Sequence, residues 1–271
     1  MSPRNPCAVN CVQRPFASDI REMNIAVCIK QVADTEAKLD LDSTGKQVLE
    51  DGLAWIINPH DESAIEAALQ LSNAHKGNVT LIALGPPRVE NAIRQGLAMG
   101  ADRATHLVTD TMPHDPHVVA RALVPLLASA NFDLVLTGQV AIDGAGQQVP
   151  QRLAVELGWP CVTAVEHLVV DGLSVTARRP VDQGEEVYRL SLPAVIGINR
   201  RLGEPRYPSF RGIMQAKKKP VEARQVSLSD SSITVERLHL PVTKSSGQIV
   251  PFSPETSAHI AELLRQEAKV I

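Results

Sequence analysis

An alternation limits what this chain can fold into. From Met23 to Leu157, short apolar runs of strand length are each followed by a longer stretch with apolar residues at helical spacing. Ile25, Ala26, Val27, Cys28 and Ile29 form the first run, unbroken by charge until Lys30. Short continuous apolar runs suit strands buried on both faces, as in parallel sheets. Val79 to Leu84, closed by Gly85-Pro86-Pro87, gives a second, Ala104 to Val108 a third, and Leu134 to Leu136 with Gly138 a fourth. Asn58-Pro59-His60-Asp61 predicts a helix start. Asn58 suits the cap and Pro59 the first helical position, while Asp61 completes a capping-box-like arrangement and favours the helix dipole. Ile65, Ala68, Leu69 and Leu71 follow on that helix. A helix from Pro87 carries Val89, Ala92, Ile93 and Leu97 on one face and stops near Gly100. His117 to Ala130 turns Val119, Ala122, Leu123, Leu126 and Leu127 inward, and Gly146 to Leu157 makes a fourth helix. β–α units of roughly 30 residues predict an α/β fold with a doubly wound, mostly parallel, Rossmann-like sheet.

Past Pro160 the texture changes. Val162 to Val170, Ser174 to Arg178 and Glu186 to Leu192 alternate in polarity between turn residues and predict antiparallel strands added at the sheet edge. Ala194 to Ile198 is one more fully apolar strand. Asp34 to Gly52 reads as a loop or hairpin, Val221 to Pro251 lacks periodicity, and Pro254 to Val270 predicts a final amphipathic helix through Ile260, Leu263 and Leu264.

Composition narrows the function. Aromatics are 3% of a chain that is 44% hydrophobic, so the core is aliphatic. A net charge of −3 gives no basic field for nucleic acid or anionic lipid. No apolar run approaches the ~20 residues of a membrane span, so no stable membrane insertion is expected. The first 22 residues carry Arg4, Arg14 and Arg21 and no acid before Asp19. That pattern faintly resembles a transit peptide; the alternatives are a disordered tail or an over-long start. A bacterial cytoplasm is the expected location, or the mitochondrial matrix if the extension is a transit peptide. Cys28 and Cys161 sit in apolar runs and read as core residues, and this usage fits a reducing compartment. Cys7 and Cys11 are spaced like half a metal site, but no second Cys/His pair follows at suitable spacing, so no metal is expected.

Ligands of open α/β sheets sit at the carboxyl ends of the strands. The most informative loop there is Gly138-Gln139-Val140-Ala141-Ile142-Asp143-Gly144-Ala145-Gly146-Gln147-Gln148-Val149, with three glycines, three glutamines and an aspartate. The glycines permit close backbone approach, and the helix start offers free N–H groups to a phosphate. The alternative is a glycine-rich turn with no ligand; neither a P-loop nor G-x-G-x-x-G is present. His60, His106, His114, His117, His167, His239 and His259 are scattered without a Ser or Cys partner in sequence, and His75 ends a helix. No catalytic constellation is evident, and no independent catalysis is expected.

At 199–220 the run Leu202-Gly203-Glu204-Pro205-Arg206-Tyr207-Pro208-Ser209-Phe210-Arg211-Gly212-Ile213-Met214-Gln215-Ala216-Lys217-Lys218-Lys219-Pro220 resembles the hallmark segment of electron-transfer flavoprotein (ETF) beta subunits. Asn58-Pro59-His60-Asp61, Ala98-Met99-Gly100-Ala101-Asp102-Arg103, Gly138 to Asp143 and Lys30-Gln31 match in order. The resemblance covers Met23 to about Pro220 well and the tail loosely. It implies an electron carrier that forms a heterodimer with a larger alpha subunit, which holds most of the redox FAD. It implies a buried AMP in this chain, or a second FAD as in bifurcating members. The implied nucleotide site is Cys28, Asn58 to Asp61 (including Pro59 and His60), Leu84, and Gly138 to Val149. The implied docking loop for flavin dehydrogenases uses Arg206, Tyr207, Phe210, Arg211, Lys217 and Lys218, with Phe210 as an apolar anchor; otherwise Phe210 packs on its own domain. Electrons would pass on to an ETF-quinone oxidoreductase or similar acceptor. The implied organisation is an N-terminal extension over 1–22, a nucleotide-binding domain over 23–220 and an arm over 221–271 packing on the partner. Three departures stand out. Asp143 to Gln151 lacks the second acid and the Thr of bifurcating members, Pro180 stands where many have Glu, and Thr35 where some have an aromatic. The other classes are a nucleotide-dependent hydrolase or ligase on a similar sheet, and a nucleotide-sensing module.

Overall fold

The computed structural model describes residues 22–241, 249–250, 253, 256–267 and 269–270. Cys7, Cys11 and the rest of 1–21 lie outside the described residues. In chain order the strands are β1 (Asn24–Ile29), β2 (Gln31–Ala33), β3 (Trp55–Ile57), β4 (Asn78–Gly85), β5 (Arg103–Val108), β6 (Leu134–Gly138), β7 (Cys161–Val165), β8 (His167–Asp171), β9 (Ser174–Val181), β10 (Gly184–Ser191), β11 (Ala194–Ile198) and β12 (Val221–Gln225). The helices are α1 (Pro59–His75), α2 (Glu90–Met99), α3 (Pro116–Ser129), α4 (Val149–Leu157), α5 (Phe210–Ala216) and α6 (Thr256–Gln266).

Seven strands form one sheet in the order β12-β5-β4-β1-β6-β11-β7, every neighbouring pair parallel. Along β1, Ile25, Val27 and Ile29 face a core built with α1 and α2, while Ala26 and Cys28 face a second core built with α3 and α4. The period-2 alternation thus feeds two cores, which explains runs with no polar positions. Ile65, Ile93, Leu97 and Leu127 are fully buried anchors of these helices. Truncating such a side chain to Ala costs about 2–5 kcal/mol. This is the doubly wound sheet expected from the sequence.

Several local expectations change. On α3 the buried residues are Val118, Ala120, Leu123, Leu126 and Leu127, while Val119 and Ala122 are only partly buried. The expected strand 162–170 is two strands. Ala164 has a left-handed φ of 62°, and the pairing of β7 with β11 shifts register between Ile196 and Ile198. This irregularity leaves β7 parallel in the main sheet, while β8 turns out to pair with β9. β8, β9 and β10 form a separate three-stranded antiparallel sheet rather than an extension of the main edge. The aperiodic region after Pro220 begins with β12, which pairs in parallel with β5. Its sequence Val-Glu-Ala-Arg-Gln is short and charged, as edge strands are, and so gives no apolar-run signal. α4 begins at Val149, not Gly146, because Ala145 and Gln147 hold left-handed φ values of 48° and 52°.

The described residues fall into two compact units. One is 22–38 with 50–235 and holds the sheet and both cores. The other joins 39–49 to the described residues from 236 onward; within it Leu238 N donates to Gly45 O at 2.7 Å, and α6 buries none of its residues.

Candidate functional site

β1 is followed by α1 on one face of the sheet, and β6 by α4 on the other, so the connections diverge between these neighbouring strands. A topological switch point of this kind opens a crevice at the strand ends. A cleft of about 920 Å³, counting its open mouth, lies there. One part is apolar, lined by Cys28, Ile82, Leu84, Val119 and Leu123. The other is the glycine-rich loop, through Gly138 to Ala141, Gly144 and Gly146 to Gln148, with the start of α4 at Val149 and Pro150.

Burial shapes the titration of the cleft. It pushes the Cys28 thiol up to about 12, with the charge of Asp61 adding to the effect. Burial also pushes the Asp61 carboxyl up to about 7, against the N–H groups of Lys30 and Gly138, the Asn58 amide and the Lys30 charge. Asp61 accepts from Lys30 N at 2.7 Å and from Gly138 N at 2.9 Å. Gly138 is needed at that contact, because a Cβ there would collide with Asp61 Oδ1 and His60 Cβ.

Asn58 does not cap α1 with its side chain. Its Nδ2 donates to Val140 O at 2.8 Å, and its Oδ1 accepts from Ile142 N at 3.2 Å, so it holds the glycine-rich loop. Asp61 likewise joins strand ends instead of closing a capping box. The predicted helix start was right, but two of its polar side chains work at long range.

Of the residues the sequence singled out, Cys28, Asn58, Asp61, Leu84, Gly138, Gln139, Val140, Ala141, Gly144, Gly146, Gln147, Gln148 and Val149 line the cleft. Pro59, His60, Ile142, Asp143 and Ala145 are not among its lining. His60 Nδ1 is buried without a hydrogen-bond partner among the described residues, and burial, then the Arg200 charge, holds its imidazole below the usual range. Asp143 pairs with Lys30, Nζ to Oδ2 at 2.6 Å.

Sequence reasoning missed one wall. Met112, Pro113 and His114 come from the β5–α3 connection, and Pro116 is the first residue of α3. Asp115 caps α3 by accepting from His117 N at 2.8 Å, and it also accepts from Ser232 N and Ser231 Oγ. The His117 N–H, more than the opposing effect of burial, holds the Asp115 carboxyl below its ordinary range. The Asp115-Pro116 pair after a strand was the available signal.

Around 199–220 the residues divide. Arg206 makes a double contact with the buried Glu66 of α1, at 2.7 and 2.8 Å. Burial would raise the Glu66 carboxyl, but hydrogen bonds from Arg206 and Gln70 hold it below its usual value. Lys219 Nζ donates to Leu97 O and Ala101 O at the end of α2, and Arg94 of α2 donates to Ala216 O and Lys219 O. A Cβ at Gly212 would press on Ala98 O, so glycine lets α5 lie close to α2. What remains outward is Tyr207 at 96% and Phe210 at 82% exposure, with Ile213, Met214, Arg211, Lys217 and Lys218.

The Electron transfer flavoprotein domain family model matches residues 46–229, which defines the class as an α/β domain of that type. Full-length relatives narrow it further. The chain is 39% identical to the electron transfer flavoprotein subunit beta of Bacillus subtilis, with 92% of this chain and 100% of that protein covered. It is 39% identical to the subunit of the same name from Syntrophomonas wolfei, covering 92% and 98%. The Megasphaera elsdenii subunit is 33% identical, covering 90% and 97%. The chain belongs to the electron transfer flavoprotein subunit beta family, and is therefore an electron-transport subunit of a flavoprotein.

Proposed function

We propose that the strand-end cleft binds an adenine mononucleotide as a structural ligand, and that the chain acts as scaffold and docking subunit of an electron carrier. The observation that carries this reading is the division of the cleft into an apolar slot and an end formed by the glycine-rich loop and the start of α4. The slot of Cys28, Ile82, Leu84, Val119 and Leu123 suits a flat base. The α4 start has no side-chain cap, unlike α3, so the N–H groups it keeps beside Pro150, which has none, can meet a phosphate. Apart from its chain neighbours, no atom of the described residues stands within 4 Å of where a Gly144 Cβ would be, which leaves the backbone open to a ligand.

The chain itself breaks no bonds in this reading. It binds AMP, pairs with a larger alpha subunit that carries the redox FAD, and presents α5 to flavin dehydrogenases. The flavin then passes electrons to a quinone oxidoreductase or another acceptor. β12 belongs to the sheet of this chain, and the arm that follows it, with the apolar stripe of α6, packs on the alpha subunit. The nucleotide site comprises the cleft residues together with Pro59, His60, Ile142, Asp143 and Ala145, which support it. A cytoplasmic location accompanies this reading.

Acid extraction of the purified protein, followed by chromatography, tests the ligand. One equivalent of AMP per chain is expected. An FAD to chain ratio of two per heterodimer would replace AMP with a second flavin, and a nucleotide-free extract would defeat the reading.

A further inference from the structure

We propose that the Lys30–Asp143 ion pair is a latch that holds the glycine-rich loop closed over the cleft and sets how fast a bound nucleotide leaves. This rests on the cleft being a nucleotide site. The loop is held in an unfavourable shape. Ala145 and Gln147 both adopt left-handed backbone conformations that non-glycine residues seldom populate. Such conformations persist only where surrounding contacts over-determine them. The first half of the loop has those contacts, since Asn58 grips Val140 and Ile142 and Asp61 grips Gly138. The second half has few. Ala145 N closes a turn onto Ala141 O at 2.8 Å. Among the described residues, the only side-chain hydrogen bond or ion pair from 143–147 to the rest of the protein is Asp143 to Lys30 Nζ, at 2.6 Å to Oδ2 and 2.8 Å to Oδ1.

Lys30 is well placed for this duty. Its own N–H is fixed to Asp61, and its side chain borders the cleft, so the pair bridges the end of β1 to the loop. With side chains 29% and 39% exposed, the pair is partly screened by water. Its effect on an opening equilibrium is accordingly modest, up to about fivefold. A contact of that strength holds a loop without trapping the ligand permanently. Lys30 is a positioning residue here, acting on the nucleotide through the loop.

Release of radiolabelled AMP from the full chain, chased with unlabelled AMP, tests the latch. Lys30→Met and Asp143→Asn should each speed release about two- to fivefold, and Lys30→Asp combined with Asp143→Lys should restore slow release. Added salt should speed release from the unaltered chain but not from either single variant. If Lys30→Met speeds release while Asp143→Asn slows it or leaves it unchanged, the lysine acts on the phosphate directly and the latch is overturned. Unchanged release in both variants overturns it too. If the unaltered chain holds no AMP, the nucleotide reading fails by itself. Amide hydrogen exchange over 139–148 then decides the latch, with faster exchange in both variants expected and unchanged exchange against it.

Discussion

The carboxylate of Asp61 accepts N–H groups from the ends of two different strands, one of them 77 residues away. In Asp61→Asn the amide oxygen accepts one of these and its NH2 group faces the other donor. Leaving a buried donor unmet costs about 1–3 kcal/mol, readable by urea unfolding. The pH dependence has a definite sign. The folded value of about 7 lies above the ordinary carboxyl value of 3.8, so between them the native state binds more protons than the unfolded chain. The stability contributed by Asp61 therefore falls as pH rises from near 4 to 7 and is flat above. The stability gap between the unaltered chain and Asp61→Asn should shrink from pH 5 to pH 8; a gap that widens would contradict the assignment. Neither duty of Asp61, nor that of Asn58, was legible in the sequence. Both residues fit a helix start so well that local capping was the natural expectation, and their true partners are set by how β1 and β6 lie side by side.

At the scale of elements, α5 is a short helix fastened by polar contacts and apolar on its open side. Arg206, Arg94 and Lys219 do the fastening, which leaves Phe210 unburied. Basic residues near an exposed apolar tip suit a docking element, with the side chain filling a pocket and the charges steering encounter. Phe210→Ala is expected to slow reduction of the flavoprotein by its dehydrogenase about tenfold or more, the scale of an anchor side chain, with bound flavin unchanged. Stopped-flow reduction measures this, and an unaltered rate would remove Phe210 from the docking surface. The sequence singled out 199–220 as a unit, but not the split within it. Arg206 and Arg211 look alike in sequence; Glu66 on α1 separates them, because a buried carboxylate needs a partner and only Arg206 reaches it.

For the whole molecule, α6 with no buried residue and an apolar stripe containing Ile260 and Leu264 calls for a cover. Co-expression with the alpha subunit should give a yellow 1:1 complex, and ending the chain before α6 should weaken it, as read by gel filtration. A truncated chain that binds as well as the intact one would exclude the helix from the interface. The sequence by itself determined the doubly wound parallel sheet, because strand and helix periodicities are local and each run declares its own length and burial. It also located the glycine-rich loop at a strand end, since connectivity fixes which loops gather there. Only the tertiary structure decided what completes the cleft. The 112–116 wall, the grip of Asn58 on the loop, the Lys30–Asp143 pair across 113 residues and the edge strand β12 all depend on pairings between distant segments. Such pairings leave no periodic trace, because each relies on one or two polar side chains or on a charged edge whose neighbours are chosen by packing.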